Sequence, residues 1–181
     1  MAIPCTTVLP AVSADFCAPN VNFGQIEKIY FTRVGDDLTD VTDPVEWATR
    51  LSNTTALPVS PTLAPIRELF VIGSLGEPEQ TPLVISADRE VYPDGQFEIP
   101  FLIDDTSQTN YDFAQTLIGQ NGAVYAFWFE AGDLLFGDNA GVVATMRLFY
   151  EIPEATTDLQ RIRGTIRWKG GLPDRNPSPF V

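Results

Sequence analysis

The sequence predicts a mainly β protein: a single antiparallel β-sandwich or barrel-like domain with one or two short helices and extended N- and C-terminal arms. Three observations predict it. Short β-branched or aromatic runs recur along the chain, each bounded by Gly, Pro, Asn or Asp. Helix-start signals are confined to two stretches, so helices are a minority. Proline-rich, aperiodic segments stand at both ends and once in the middle. The 181 residues suit one domain, and 44% apolar content with twelve Phe and three Trp can fill one core.

Residues 1–24 read as an N-terminal arm, with Pro4, Pro10 and Pro19 and little hydrophobic periodicity. The folded domain spans 25–169, and its first strand is 25–33 (QIEKIYFTR). "DPVEWATRL" follows, with Asp43 as N-cap, Pro44 at the first helical position and Glu46 three residues after the cap, the pattern of a capping box. Residues 52–66 place Pro58, Pro61 and Pro65 at near-regular spacing, which favours extended chain. Strands are predicted at 67–73, 82–87 and 96–103. "TNYDFAQTLIG" predicts a second helix, with Asn110 as N-cap, an apolar face of Phe113, Leu117 and Ile118, and Gly119 as its stop. Residues 122–130 form the next strand, and apolar side chains at both parities from 123 to 129 predict a central strand covered on both faces. A tight hairpin with Gly132 at positive φ joins it to 133–136. Strands at 142–150 and 160–169 complete the domain, and 170–181 (GGLPDRNPSPFV) is the C-terminal arm. Arms of this kind stay ordered only where something lies beneath them, and the expected support is a neighbouring copy.

The net charge is −13, from 24 acidic and 11 basic residues, spread over both halves of the chain. Such a molecule repels phosphate backbones, which disfavours ordinary nucleic-acid binding but suits a wall past which DNA slides. One strand breaks the pattern. In "LQRIRGTIRWKGG", Ile162, Gly164, Ile166 and Trp168 point one way, while Arg161, Arg163, Arg167 and Lys169 point the other. This stripe is the solvated face of an edge strand, a docking surface for the acidic run 36–46 of an adjacent copy, with Asp36, Asp37 and Asp40 as its partners, or a contact for DNA.

Catalytic chemistry has little to work with. The absence of histidine removes Ser-His-Asp and Cys-His machinery and His-containing zinc sites. The lysines are Lys28 and Lys169 alone, and Cys5 and Cys17 cannot close a four-ligand zinc site between them. Those two cysteines are expected to be free thiols, with a disulfide as the alternative. The carboxylate pairs Asp104-Asp105 and Asp36-Asp37 lack the spacing of a calcium loop and read as solvated loops. No cofactor, metal or enzymatic activity is expected. Trp47, Trp128 and Trp168 fall at core-facing phases, so burial is expected rather than a sugar-stacking platform. No apolar run reaches the length of a membrane span, and "MAIPCTTVLPAVSADF" lacks the basic start and unbroken apolar core of a signal peptide. The chain is therefore expected to be soluble and made in the cytoplasm.

Three segments carry a family resemblance: "CAPNVNFGQIEKIYFTR" (17–33), "VYAFWFEAGDLLFG" (124–137) and "IRGTIRWKGGLPDRNPSPF" (162–180). Together they resemble virion structural proteins of phages infecting Bacteroidetes-type hosts, including crAss-like phages. The resemblance covers about half the chain and leaves 52–110 unmatched. It implies a non-enzymatic tail-tube or tail/connector-ring subunit, assembled in the bacterial cytoplasm and residing in the virion. Its partners would be copies of itself, other virion proteins, and DNA as a passenger without sequence specificity. A capsid auxiliary or head-fibre base protein, and a carbohydrate-binding host-attachment module, are the alternatives.

Overall fold

The computed structural model describes residues 24–53, 64–80, 83–86, 89–91, 95–119, 122–154 and 158–180. In chain order these form β1 (Ile26–Thr32), α1 (Pro44–Ser52), β2 (Arg67–Gly73), β3 (Leu83–Ser86), β4 (Arg89–Val91), β5 (Gly95–Ile103), α2 (Gln108–Gly119), β6 (Ala123–Ala131), β7 (Leu134–Phe136), β8 (Val142–Glu151), β9 (Arg161–Gly170) and β10 (Arg175–Pro177).

Six strands close an antiparallel barrel in the order β1-β2-β5-β9-β8-β6, with β6 returning to β1. Closure is the work of β6, which pairs with β8 through 123–127 and with β1 through 126–131. Strict alternation along β5 and β9 sends Phe97, Ile99, Phe101 and Ile103, and Ile162, Ile166 and Trp168, into the barrel. The β9 strand carries a glycine at its centre for a steric reason. A Cβ on Gly164 would lie 2.2 Å from Phe101 Cζ and 2.6 Å from Leu148 Cδ2, so those two side chains already fill its place. At the barrel end where β1, β5 and β8 finish, α2 inserts Ala114 and Leu117 into the same core and stacks Phe113 on Phe31 at 5.3 Å.

A second core lies outside the barrel, on the β1–β6 wall. Tyr30, Ala126 and Trp128 point outward there and are covered by Leu38, Val41, Trp47, Ile66 and Leu135. The predicted two-sided burial of the 123–129 strand is thus explained: Phe127 and Phe129 fill the barrel, while Ala126 and Trp128 fill the outer layer. All three tryptophans are buried.

Several expectations need correction. The C-terminal segment is extended, but it returns to its own body instead of awaiting a neighbour. There, β10 pairs with β7, and Phe180 stacks on Tyr30 at 5.2 Å and meets Trp47 at 5.4 Å. The strands at 89–91 and 175–177 are additional to those that the sequence predicts. Asn110 is not the N-cap of α2: the helix begins at Gln108, and Asn110 reaches back from its first turn to Asp105 at 3.0 Å. At α1, Asp43 caps Val45 N–H at 2.8 Å as expected. The capping box is incomplete, however, because Glu46 accepts from the N–H groups of Thr39 and Asp40 rather than that of Asp43. Gly132 has φ of 60° in its hairpin, as predicted. Residues 1–23, including Cys5 and Cys17, and the proline stretch 54–63 lie outside the described residues; the chain re-enters at Ala64 and Ile66, both buried.

Candidate functional site

The barrel has two walls of opposite character. In a ring of six strands, β9 lies three positions from β1, so the basic stripe stands directly across the barrel from the layer that α1 builds. On the stripe side, β2, β5, β9 and β8 form a sheet face that no element among the described residues covers, and its outward residues line up in cross-strand rows. One row is Ile72, Leu102, Arg163 and Phe149. The next is Pro100, Thr165 and Arg147, and after it come Glu98, Arg167, Thr145 and Val124. Ile72 and Phe149 are 45% and 48% exposed, large values for apolar side chains in the middle of a sheet face. Between them runs a groove of about 380 Å³, also lined by Pro100, Leu102, Arg163 and Thr165.

The stripe is not at an edge, as one of its readings required, since β9 is paired on both sides. Its cations are partly occupied within the chain. Arg167 lies 2.8 Å from Glu98, and Arg163 pairs with Glu151. Arg161 Nε lies 2.9 Å from Asp104, although its N–H is not aligned for a hydrogen bond. Lys169 and Arg147 have no such partner among the described residues. Five cations thus face three carboxylates on a wall of a strongly acidic protein. The carboxylate partners were legible in part: Glu98 falls at an outward phase of the predicted strand 96–103, whereas Glu151 lies one residue beyond the predicted strand 142–150 and joins it in the structure.

The acidic run lies on the other side and is folded into the α1 layer. Asp36 pairs with Arg33 at 3.2 Å. Asp40 accepts from the Thr42 hydroxyl at 2.7 Å and its N–H at 2.8 Å, and these bonds hold its carboxyl below the usual aspartate range. Asp37 sits in an open cleft with Asp138 and Asp174. No group of metal-ligating side chains comes together among the described residues. The structure therefore does not bring Asp36, Asp37 and Asp40 to the stripe within one chain; it places the two sets on opposite walls. Asp104 and Asp105 do not form a pair across a cleft either, since Asp105 instead accepts from Ser107 N–H at 3.0 Å at the start of α2.

Arg50 holds the α1 layer together, and composition gave no sign of it. It is fully buried, donates to the carbonyls of Ala64 and Asp37 at 2.9 Å each and to that of Asp36, and lies 3.5 Å from Glu46. Burial lowers its pKa, with Glu46 opposing the shift. Beneath the tail, Glu130 accepts from Tyr30 Oη at 3.1 Å and from Ser178 Oγ at 2.7 Å, with Lys28 3.6 Å away. Burial first, and Glu130 second, push the Tyr30 hydroxyl far above its ordinary pKa. Lys28 also stands 5.7 Å from the rings of both Phe70 and Phe180.

Comparison with protein families, with curated proteins and with solved structures finds no match to this chain. No described helix is long and apolar enough to cross a membrane.

Proposed function

We propose that this chain is a non-enzymatic bacteriophage virion structural protein, a tail-tube or tail/connector-ring subunit that assembles head-to-tail with its own copies. The observation that carries the reading is the placement of a basic, partly apolar wall opposite an acidic layer on one rigid barrel. Unlike surfaces on opposite sides of a subunit meet when copies are stacked around an axis, and such heterologous contacts close into rings where the rotation permits. Charge complementarity of this kind sets register and partner choice. The C-terminal tail takes no part in the contact, because it is used on its own body. The phage assignment itself comes from the resemblance of the segments 17–33, 124–137 and 162–180. A net charge of −13 is compatible with a lumen that lets DNA pass by repulsion.

Negative-stain images and native masses over a salt series test this. Rings or tubes that weaken as salt rises are expected. A strictly monomeric particle at high concentration in every salt would overturn the reading. The paired reversal Arg163→Glu with Arg167→Glu adds carboxylates beside Glu151 and Glu98 and is expected to abolish assembly while the monomer stays folded. Normal assembly by that variant would return the stripe to an ordinary solvated face.

A further inference from the structure

We propose that α1 of one copy packs onto the uncovered wall of the next, making one helix a shared layer between two barrels. The inference rests on the head-to-tail reading above and specifies its contact. The inner face of α1 is already committed, with Trp47 and Arg50 fully buried against their own barrel. Its outer face carries Val45, Ala48, Thr49 and Ser52 at helical spacing, with Val45 70% exposed.

That face is ready to lose water. Thr49 Oγ1 donates to the Val45 carbonyl at 2.8 Å, and Ser52 Oγ donates to the Thr49 carbonyl at 2.9 Å. Neither hydroxyl donor would be stranded by burial, which removes the usual cost of docking a polar helix face. The small side chains allow close approach, and Val45 projects as a knob. The receiving wall offers the groove between Ile72 and Phe149. Sizes agree as well: a nine-residue helix is about 13.5 Å long, and four adjacent strands span roughly 14 Å. Charge fixes the direction. Asp40 and Asp43 stand at the N-terminal end of α1, and Arg147, unpaired among the described residues, flanks the groove beside Arg163.

Cross-linking of the full-length chain tests the contact, in a background of Cys5→Ser and Cys17→Ser. One preparation carries Val45→Cys and another Phe149→Cys. Under mild oxidation, mixing the two is expected to give covalent dimers that neither gives alone. Dimers from the Val45→Cys chain alone, or no bond while native mass shows intact assemblies, overturn the α1 contact and leave head-to-tail assembly standing. Monomers alone in the native mass spectrum remove both. As a second arm, Val45→Lys changes a solvent-facing side chain and is expected to leave the melting temperature unchanged. It should raise the concentration needed for assembly about tenfold or more. Assembly at an unchanged concentration overturns the contact.

Discussion

The two walls of this barrel obey one alternation rule and come to opposite ends. On β1 and β6 the outward positions are Tyr30, Ala126 and Trp128, and the chain spends α1, the 36–43 loop and its own tail to cover them. On β9 the outward positions are Arg161, Arg163, Thr165, Arg167 and Lys169, and no element among the described residues covers them. Period-2 patterning decides which residues leave the barrel; the chemistry of those residues decides whether a second layer forms. The covered wall thus adds a second core to the one inside the barrel. The bare wall contributes little to the monomer, and its exposed Ile72 and Phe149 are the anomaly that assembly would explain.

The sharpest way to break this contrast is Trp47→Ala. Trp47 is fully buried, meets Tyr30, Trp128 and Phe180 at 5.1–5.5 Å, and donates its indole N–H to the Val41 carbonyl at 2.8 Å. Its removal is expected to cost about 3–5 kcal/mol in urea unfolding. A loss below about 1 kcal/mol would mean that the outer layer is not a core. Arg50→Met comes next, at about 3 kcal/mol, because it strands three backbone carbonyls and removes the cation beside the Glu46 carboxylate. Arg50→Lys is expected to rescue little, since one ammonium cannot reproduce the forked donors of the guanidinium.

The two-sided apolar run along 123–129 and the alternation along 160–169 were readable because each strand faces surfaces of fixed character. The N-cap Asp43 was readable because its partner lies two residues away. What escaped the sequence depends on distant partners. Asn110 looks like a cap, yet Asp105 upstream supplies an earlier start for α2, and the helix gains a turn. Glu46 looks like half of a capping box, but Arg50 and the 39–40 loop compete for it. The tail departs furthest from expectation. Proline spacing signals extended chain and says nothing about what the chain lies on, and here β7 and the Tyr30–Trp47 surface were waiting on the same molecule. The bare wall was half legible: the stripe was visible, whereas Ile72, Leu102 and Phe149 join it only through the register of four strands.

A pH series sharpens the contrast further. Tyr30 is held neutral in the fold, so its contribution is fully present below the ordinary tyrosine value near 10. As pH rises above that value the unfolded chain releases a proton that the folded chain retains. Stability is therefore expected to fall by up to about 1.4 kcal/mol per pH unit. Tyr30→Phe should cost about 1 kcal/mol at neutral pH through the lost bond to Glu130, and should remove that alkaline slope. An unchanged slope in this variant would move the titration away from the covered wall.

The smallest effect is expected on the bare wall, and its smallness is informative. Arg167 and Glu98 approach to 2.8 Å, but their side chains are 48% and 38% exposed, so water and salt screen the pair. A double-mutant cycle with Arg167→Ala and Glu98→Ala on the monomer is expected to give a coupling of about 0.5 kcal/mol that fades with salt. A coupling above about 2 kcal/mol would show that the wall is built to hold the monomer together, and its cations would then need no outside partner. A weak coupling has the opposite meaning. Charges that add little to the fold and sit beside uncovered Ile72 and Phe149 can exchange their own carboxylates for those of another copy at small cost, as a reversible contact between rigid barrels requires.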